Sequence, residues 1–267
     1  YVVGCLTEWI YLQKAGLFQE VIDLHIQERI CPDCEIPLKK NKGRIDISFE
    51  NYYNIGNLLS VFCQSAGLPI LSNAPQVYPR QHEIEKVNKL RLDEEYIIFH
   101  CLSNEYIRDW DNEKWIELAR RIKSKWNLQI VEVGYKSVLS KDSSIDFIDL
   151  CGRLSILETA EVVKKAKLFI GIDSAIAHVA NAVDTFGIIL LGEYRGFKNY
   201  LPYSGNYANG VNSKIIYSAH GPASEIPVIQ VLFEIEQLID KEKLQKINKT
   251  NTKNDAPNFI VSKKTLV

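Results

Sequence analysis

Asp173 and Ser174 break an apolar run, and His178 follows four residues after Ser174, in the stretch Leu168-Phe169-Ile170-Gly171-Ile172-Asp173-Ser174-Ala175-Ile176-Ala177-His178-Val179-Ala180. The pattern predicts a buried strand, a tight turn and a helix start, the unit of a doubly wound α/β domain. The first amides of such a helix have no partner inside it, and the helix dipole adds positive potential there. An anion, typically a pyrophosphate, fits at that terminus. Ser174 and His178 share the helix face that looks at the turn. A purely structural role is equally simple, with Asp173 as a cap and His178 as a satisfied core histidine.

A second group, Ser103, Asn104 and Arg108, lies in a polar loop after the apolar run at 96–99. Arg108 could pair with phosphate in bidentate fashion, and Ser103 and Asn104 could donate to phosphate oxygens. The plain alternative is an ordinary polar loop with Arg108 in solvent. Cys31-Pro32-Asp33-Cys34 is a third candidate. A structural zinc needs four ligands; no second CxxC exists, His25 would be a third ligand and a fourth is not evident. Pro37 and the lysines after it favour a loop over the helix start of a redox pair. We read this CxxC as an incidental turn.

The elements that would position these residues alternate along the chain. Residues 1–5 read as a strand, 9–16 as a short helix ended by glycine, and 21–24 as a second strand. Chains of this class place a strand, a loop and a helix before such elements, so Tyr1 is expected to enter the domain after its first unit. Residues 39–43 form a basic turn, and 45–49 alternate as a strand does. Residues 51–67 read as one helix, with Ile55, Leu58, Leu59 and Phe62 on one face and Gly67 as its cap. Pro69, Pro75 and Pro79 mark an extended segment before a charged helix at 81–90. The best domain boundary is 92–95.

Beyond it the pattern predicts strands at 96–99, 129–133, 147–150, 168–172 and 185–191. Helices are predicted at 110–123, from 155 to about 165 behind the capping box Ser155-Ile156-Leu157-Glu158, after Ser174, and from Pro227 to Ile239. The last has Val228, Val231, Leu232, Ile235, Leu238 and Ile239 on one face. Strand–helix alternation argues for a parallel sheet covered on both sides. After Asp240 the chain turns to Lys, Asn and Thr, and weak order is expected at 241–267.

Composition narrows the function classes. The 267 residues are 46% hydrophobic and 24% charged, as in a soluble globular protein. A net charge of −1 gives no electrostatic case for nucleic acid. No apolar run approaches membrane-spanning length. Six cysteines in a chain this long do not make a disulfide scaffold and are expected to be reduced, in the cytosol.

With these residues in place, the second half resembles glycosyltransferase family 9, the family of the lipopolysaccharide heptosyltransferases. The resemblance runs from about Tyr96 to Leu238. It includes the strand and loop leading to Trp110 and Trp115, the segment Cys151-Gly152-Arg153-Leu154-Ser155, and Asp173 to His178. The spacing between blocks makes it more specific than any single block. Residues 1–92 resemble the family only in the order of their elements.

The resemblance implies an α/β GT-B fold, two Rossmann-like domains with parallel sheets facing a cleft. The N-terminal, acceptor-side domain would be 1–92 and incomplete, and the nucleotide-sugar domain 93–240. It implies an inverting transferase moving a heptose-like sugar from a nucleotide-diphosphate donor, such as ADP-heptose, to a glycan or lipopolysaccharide-type acceptor. Ser103, Asn104 and Arg108 would hold the diphosphate and Leu154 would lie along the nucleoside. The amides of Ser174 and Ala175 would face phosphate with His178 beside it, and Asp173 would bind hydroxyls of the transferred sugar. No metal or other cofactor is implied, since Arg108, His178 and the helix terminus can stabilise the leaving diphosphate. The location implied is cytoplasmic, with a peripheral seat on the inner membrane left open.

The chain departs from the family in three places. Ala175 stands where glycine is usual, which restricts backbone approach to phosphate. Glu193-Tyr194-Arg195 replaces a glycine-containing turn toward the sugar. The family's general-base aspartate lies in a first strand-loop unit that this sequence does not contain, so no catalytic residue is assigned; Glu8 is a weak substitute and reads better as surface. The rival reading is a non-catalytic nucleotide-sugar-binding protein.

Overall fold

The computed structural model describes residues 46–197, 200–218 and 221–239, with 15–17, 22, 24, 26, 43 and 44 before them. The element read at 1–5, most of those at 9–16 and 21–24, Glu8, the Cys31–Cys34 motif with His25, and the tail after 239 lie outside the described residues.

Six parallel strands form one sheet: β1 (Tyr96–His100), β2 (Gln129–Glu132), β3 (Ile148–Asp149), β4 (Leu168–Ile172), β5 (Gly187–Leu191) and β6 (Ser213–Tyr217). Their spatial order is β3-β2-β1-β4-β5-β6. The order reverses between β1 and β4, where ligands of open α/β sheets bind beyond the carboxyl ends. His100 pairs in register with Gly171, so the loops that leave β1 and β4 start side by side.

The helices are α1 (Tyr52–Ile55), α2 (Leu58–Ala66), α3 (Gln81–Asn88), α4 (Asn112–Trp126), α5 (Ile156–Lys165), α6 (Ala175–Ala182), α7 (Gly205–Ala208) and α8 over 228–239. Side chains alternate across a strand, and the central strands are buried on both faces. Ile97, Phe99, Ile170 and Leu190 meet Trp115, Leu118 and Ile122 of α4 and Val231 and Ile235 of α8. Tyr96, Ile98, Phe169 and Ile189 meet Val162 and Val163 of α5, Ala177 and Ala180 of α6, and Val87 of α3 on the other side.

The predicted capping box is present: the Ser155 hydroxyl accepts from the Glu158 amide at 3.2 Å, and the Glu158 carboxylate from the Ser155 amide at 2.8 Å. Gly67 ends α2 in the left-handed region at φ 70°, with its amide reaching back to Cys63 and Gln64.

Three expectations are corrected. Residues 46–50 are turn and coil, not strand. The Ser48 amide donates to Asn51 Oδ1 at 2.8 Å and Asn51 Nδ2 to the Asp46 carbonyl at 2.7 Å, so local side chains capture groups that a ladder would need. The single helix at 51–67 is two, because Gly56 is extended and Asn57 caps a new start, accepting from the Ser60 amide at 3.0 Å. Strand β6 was not anticipated; its mixed burial shows no clean alternation.

Helix α3, assigned by sequence to the first domain, packs directly on α5. Lys86 Nζ lies 2.7 Å from Glu158 Oε1 across that contact.

Candidate functional site

Arg108 and Asp173 come from opposite sides of the switch point and meet. Arg108 sits at the end of a 3-10 turn, Tyr106–Arg108, in the loop after β1. Trp110 anchors that loop: its indole N–H donates to the Ile226 carbonyl at 2.8 Å, and its ring packs edge-on against Trp115 at 4.9 Å. Asp173 directly follows β4. Arg108 Nη1 donates to Asp173 Oδ2 at 3.2 Å, and Nη2 donates to Asn104 Oδ1 at 2.8 Å. The guanidinium also lies over the Tyr194 ring, 5.4 Å from its centre. Arg108 Nε is buried with no hydrogen-bond partner, and Glu105 Oε2 stands 3.9 Å away. A buried donor left unpaired on a cation costs free energy.

Asp173 is only 3% exposed. Its carboxylate accepts from the Tyr203 hydroxyl at 2.9 Å on Oδ1, and from the Tyr200 hydroxyl and Arg108 on Oδ2. The sequence expectation placed sugar hydroxyls on this carboxylate, so a sugar reaching it meets a group already held by three donors. Ser103 is likewise engaged. Its hydroxyl contacts Asp109 Oδ1 at 2.8 Å and the Glu105 carbonyl at 2.7 Å, and its amide donates to Asp109 Oδ1, which shapes the loop that carries Arg108.

Ser174 caps α6, its hydroxyl accepting from the Ala177 amide at 3.4 Å. The amides of Ala175 and Ile176 belong to the helix start, where no intrahelical carbonyl serves them. His178 lies one turn on, its ring 4.7 Å from that of Tyr203. Burial lowers the His178 pKa from the usual imidazole value, opposed by the nearby Asp173 charge. Leu154 sits on the loop after β3, half-buried against the α5–α6 side of the sheet. Strand β2 lies between that loop's strand and β1, so Leu154 is on the same edge of the sheet but off to one side of Arg108.

Tyr200, Tyr203 and Glu105 were missed, and Tyr194 was read only as part of a departure from the family's turn. Four of the chain's 13 tyrosines fall between 194 and 207, and that density was the available signal. These rings form a lattice with α1: Tyr53 is 4.8 Å from Tyr200 and 6.2 Å from Tyr194, and Phe197 is 5.2 Å from both Tyr52 and Tyr53. Burial, with Asp173 close by, pushes the Tyr53 and Tyr203 hydroxyls well up, so both stay protonated as donors.

Among the described residues no group of three or more His, Cys, Asp or Glu side chains is arranged to hold a metal, and no helix is long and apolar enough to cross a membrane. Cys63, Cys101 and Cys151 are free thiols.

The family model for glycosyltransferase family 9 (heptosyltransferase) matches residues 38–211. The E. coli ADP-heptose lps heptosyltransferase II superposes with a TM-score of 0.52 at 20% identity, over 66% of this chain and 56% of that one. The family 9 glycosyl transferase from Veillonella parvula superposes with a TM-score of 0.56 at 16% identity, over 67% of this chain and 58% of that one. At these identities the likeness is one of fold, the α/β GT-B fold, and the chain matches just over half the length of each. No curated protein sequence matches the chain.

Proposed function

The chain belongs to glycosyltransferase family 9, and from that premise we propose that it binds a nucleotide-sugar donor and transfers the sugar with inversion to a glycan or lipopolysaccharide-type acceptor. The observation that carries the donor site is Arg108, brought by the loop after β1 to within 3.2 Å of Asp173 beside the start of α6, at the switch point of the sheet. A diphosphate at the switch point would be met by Arg108 and by the Ser174 and Ala175 amides at the helix start, with His178 one turn away. Asn104 and Ser103 hold Arg108 and its loop in place. Asp173 and the tyrosines fix the other side of Arg108, and a sugar hydroxyl would reach Asp173 by exchanging with Tyr200 or Tyr203. Leu154 would lie along the nucleoside.

In this reading an acceptor hydroxyl attacks the anomeric carbon, the bond from that carbon to the phosphate oxygen breaks, and the electron pair leaves with the nucleoside diphosphate. Arg108, the helix amides and His178 stabilise that leaving charge. The acceptor's proton passes to a base that we assign to none of the described residues. A heptose such as that of ADP-heptose is our first choice of sugar. A cytoplasmic site of action follows from the same family reading, as does a first domain within 1–92.

The competing reading is a nucleotide-sugar-binding protein without transfer activity, in line with the lack of an assigned base among the described residues. A calorimetric panel of nucleotide sugars tests donor binding, and release of nucleoside diphosphate in the presence of oligosaccharide acceptors tests transfer. Tight binding of a donor with no turnover across acceptors supports the binding protein; no binding of any nucleotide sugar refutes both.

A further inference from the structure

The turn at 194–197 breaks a local rule. The Phe197 amide closes it on the Tyr194 carbonyl at 3.0 Å, and its two central residues, Arg195 and Gly196, have φ of 48° and 70°. Turns with two left-handed central residues favour Asn, Asp or Gly at the first of them. Arginine there is strained, and strain of this kind persists where function requires the side chain. Burial does not explain it, since the Arg195 side chain is 53% exposed. Its ion pair with Glu105 Oε1, at 3.4 Å, is a half-exposed contact of the kind that contributes little.

The surroundings of Arg195 suggest its use. Its guanidinium lies 5.1 Å from the centre of the Tyr194 ring, the ring that Arg108 overlies at 5.4 Å. Glu105 reaches toward both cations and accepts from the Tyr194 hydroxyl at 3.3 Å. The turn follows β5, the neighbour of β4 in the sheet, so Arg195 stands at the same carboxyl edge as Arg108 and the start of α6. Two planar guanidiniums over one ring, Arg108 held by Asp173 and Asn104 and Arg195 half-exposed with a fork able to grip a phosphoryl group, suit a ligand with two linked phosphates.

We infer that Arg195 is a second phosphate-binding residue of this site, so that the two phosphoryl groups of a nucleoside diphosphate are met by Arg108 and Arg195 together. This rests on the donor-site reading above. Arg195 thus sets a preference for diphosphates over monophosphates.

Calorimetric titration of the full chain with ADP, GDP and UDP and the matching monophosphates tests it. Arg195→Ala and Arg195→Gly are expected to lose about tenfold or more in affinity for the diphosphate that binds, and to change monophosphate affinity by less than about twofold. Arg195→Gly also separates binding from folding, because glycine suits the positive φ and its melting temperature should hold or rise. Arg195→Lys should fall between, keeping charge without the planar fork. Equal losses for diphosphate and monophosphate, or none for either, overturn the inference. If wild type binds no diphosphate at all, the donor-site reading fails with it; if Arg108→Ala abolishes diphosphate preference and the Arg195 variants keep it, only this inference fails.

Discussion

Arg108 and His178 are expected to respond differently to removal. Arg108→Ala should weaken nucleoside-diphosphate binding about tenfold or more and nucleoside binding little, since a charge-assisted hydrogen bond contributes about 1.5–3 kcal/mol. His178 is held neutral by burial, and a phosphate beside it would raise its pKa. The cost of His178→Ala for ADP should therefore be smaller, and larger at about pH 6 than at about pH 8. Equal losses for ADP and adenosine would make both residues structural. The histidines also predict a pH dependence of stability. Burial lowers the pKa of both His100 and His178 in the folded chain. The unfolded chain then binds more protons, so this contribution is complete above the unfolded value of about 6.5 and is lost as pH falls through the lower native values. Urea midpoints should drop between about pH 7.5 and about pH 5.5. His178→Gln should reduce the drop, and an unchanged midpoint in wild type would contradict the prediction.

At the scale of elements, the start of α5 carries more than its own cap. Glu158 accepts from the Ser155 amide at 2.8 Å and from Lys86 of α3 at 2.7 Å. Ser155→Ala should cost about 1 kcal/mol, the usual value of a lost N-cap. Chemical denaturation reads that cost, and a loss below a few tenths would mean that Glu158 alone holds the helix start. This cap was legible because it is a four-residue pattern. The helix at 228–239 was legible for the same reason: Val228, Val231, Leu232, Ile235 and Ile239 repeat at helical spacing, and all are buried. Strand β6 was not, because an edge strand is defined by the neighbour it pairs with, here Gly187–Leu191.

At the scale of the molecule, the segment before residue 93 is joined to the sheet domain near residues 202–205. The Gly205 amide donates to the Ser72 carbonyl at 2.9 Å, the Ser204 hydroxyl to the Asn73 carbonyl at 2.8 Å, and the Leu58 amide to the Pro202 carbonyl at 3.2 Å. Gly205 has φ 63°, and a Cβ there would stand 2.2 Å from the Ala74 amide nitrogen. Gly205→Ala should therefore cost about 2 kcal/mol or more, strain and backbone clash together. Gly210 is the control, with φ 66° and open space around its missing Cβ; Gly210→Ala should show strain alone, about 1 kcal/mol. Similar losses of melting temperature in the two variants would show that the junction yields without cost. The same junction brings α1 over the tyrosines around Asp173, so Gly205→Ala should also weaken nucleoside-diphosphate binding in the titration above.

The α/β class, most of the strands, the helix caps and the Asp173–His178 turn were readable because each is set by residues within a few positions of one another. Hydrophobic period and capping chemistry are local properties. The partners of Asp173 are not: Tyr200, Tyr203 and Arg108 lie 27, 30 and 65 positions away. The strand order that places the loops after β1 and β4 side by side was decided by packing of the whole sheet. So was the state of Asp173, which the motif marks as a polar ligand and the fold surrounds with donors. The Tyr194 ring that carries two arginines depends on the same long-range order, since it needs a turn after β5 to meet a loop after β1, and no local pattern encodes that meeting.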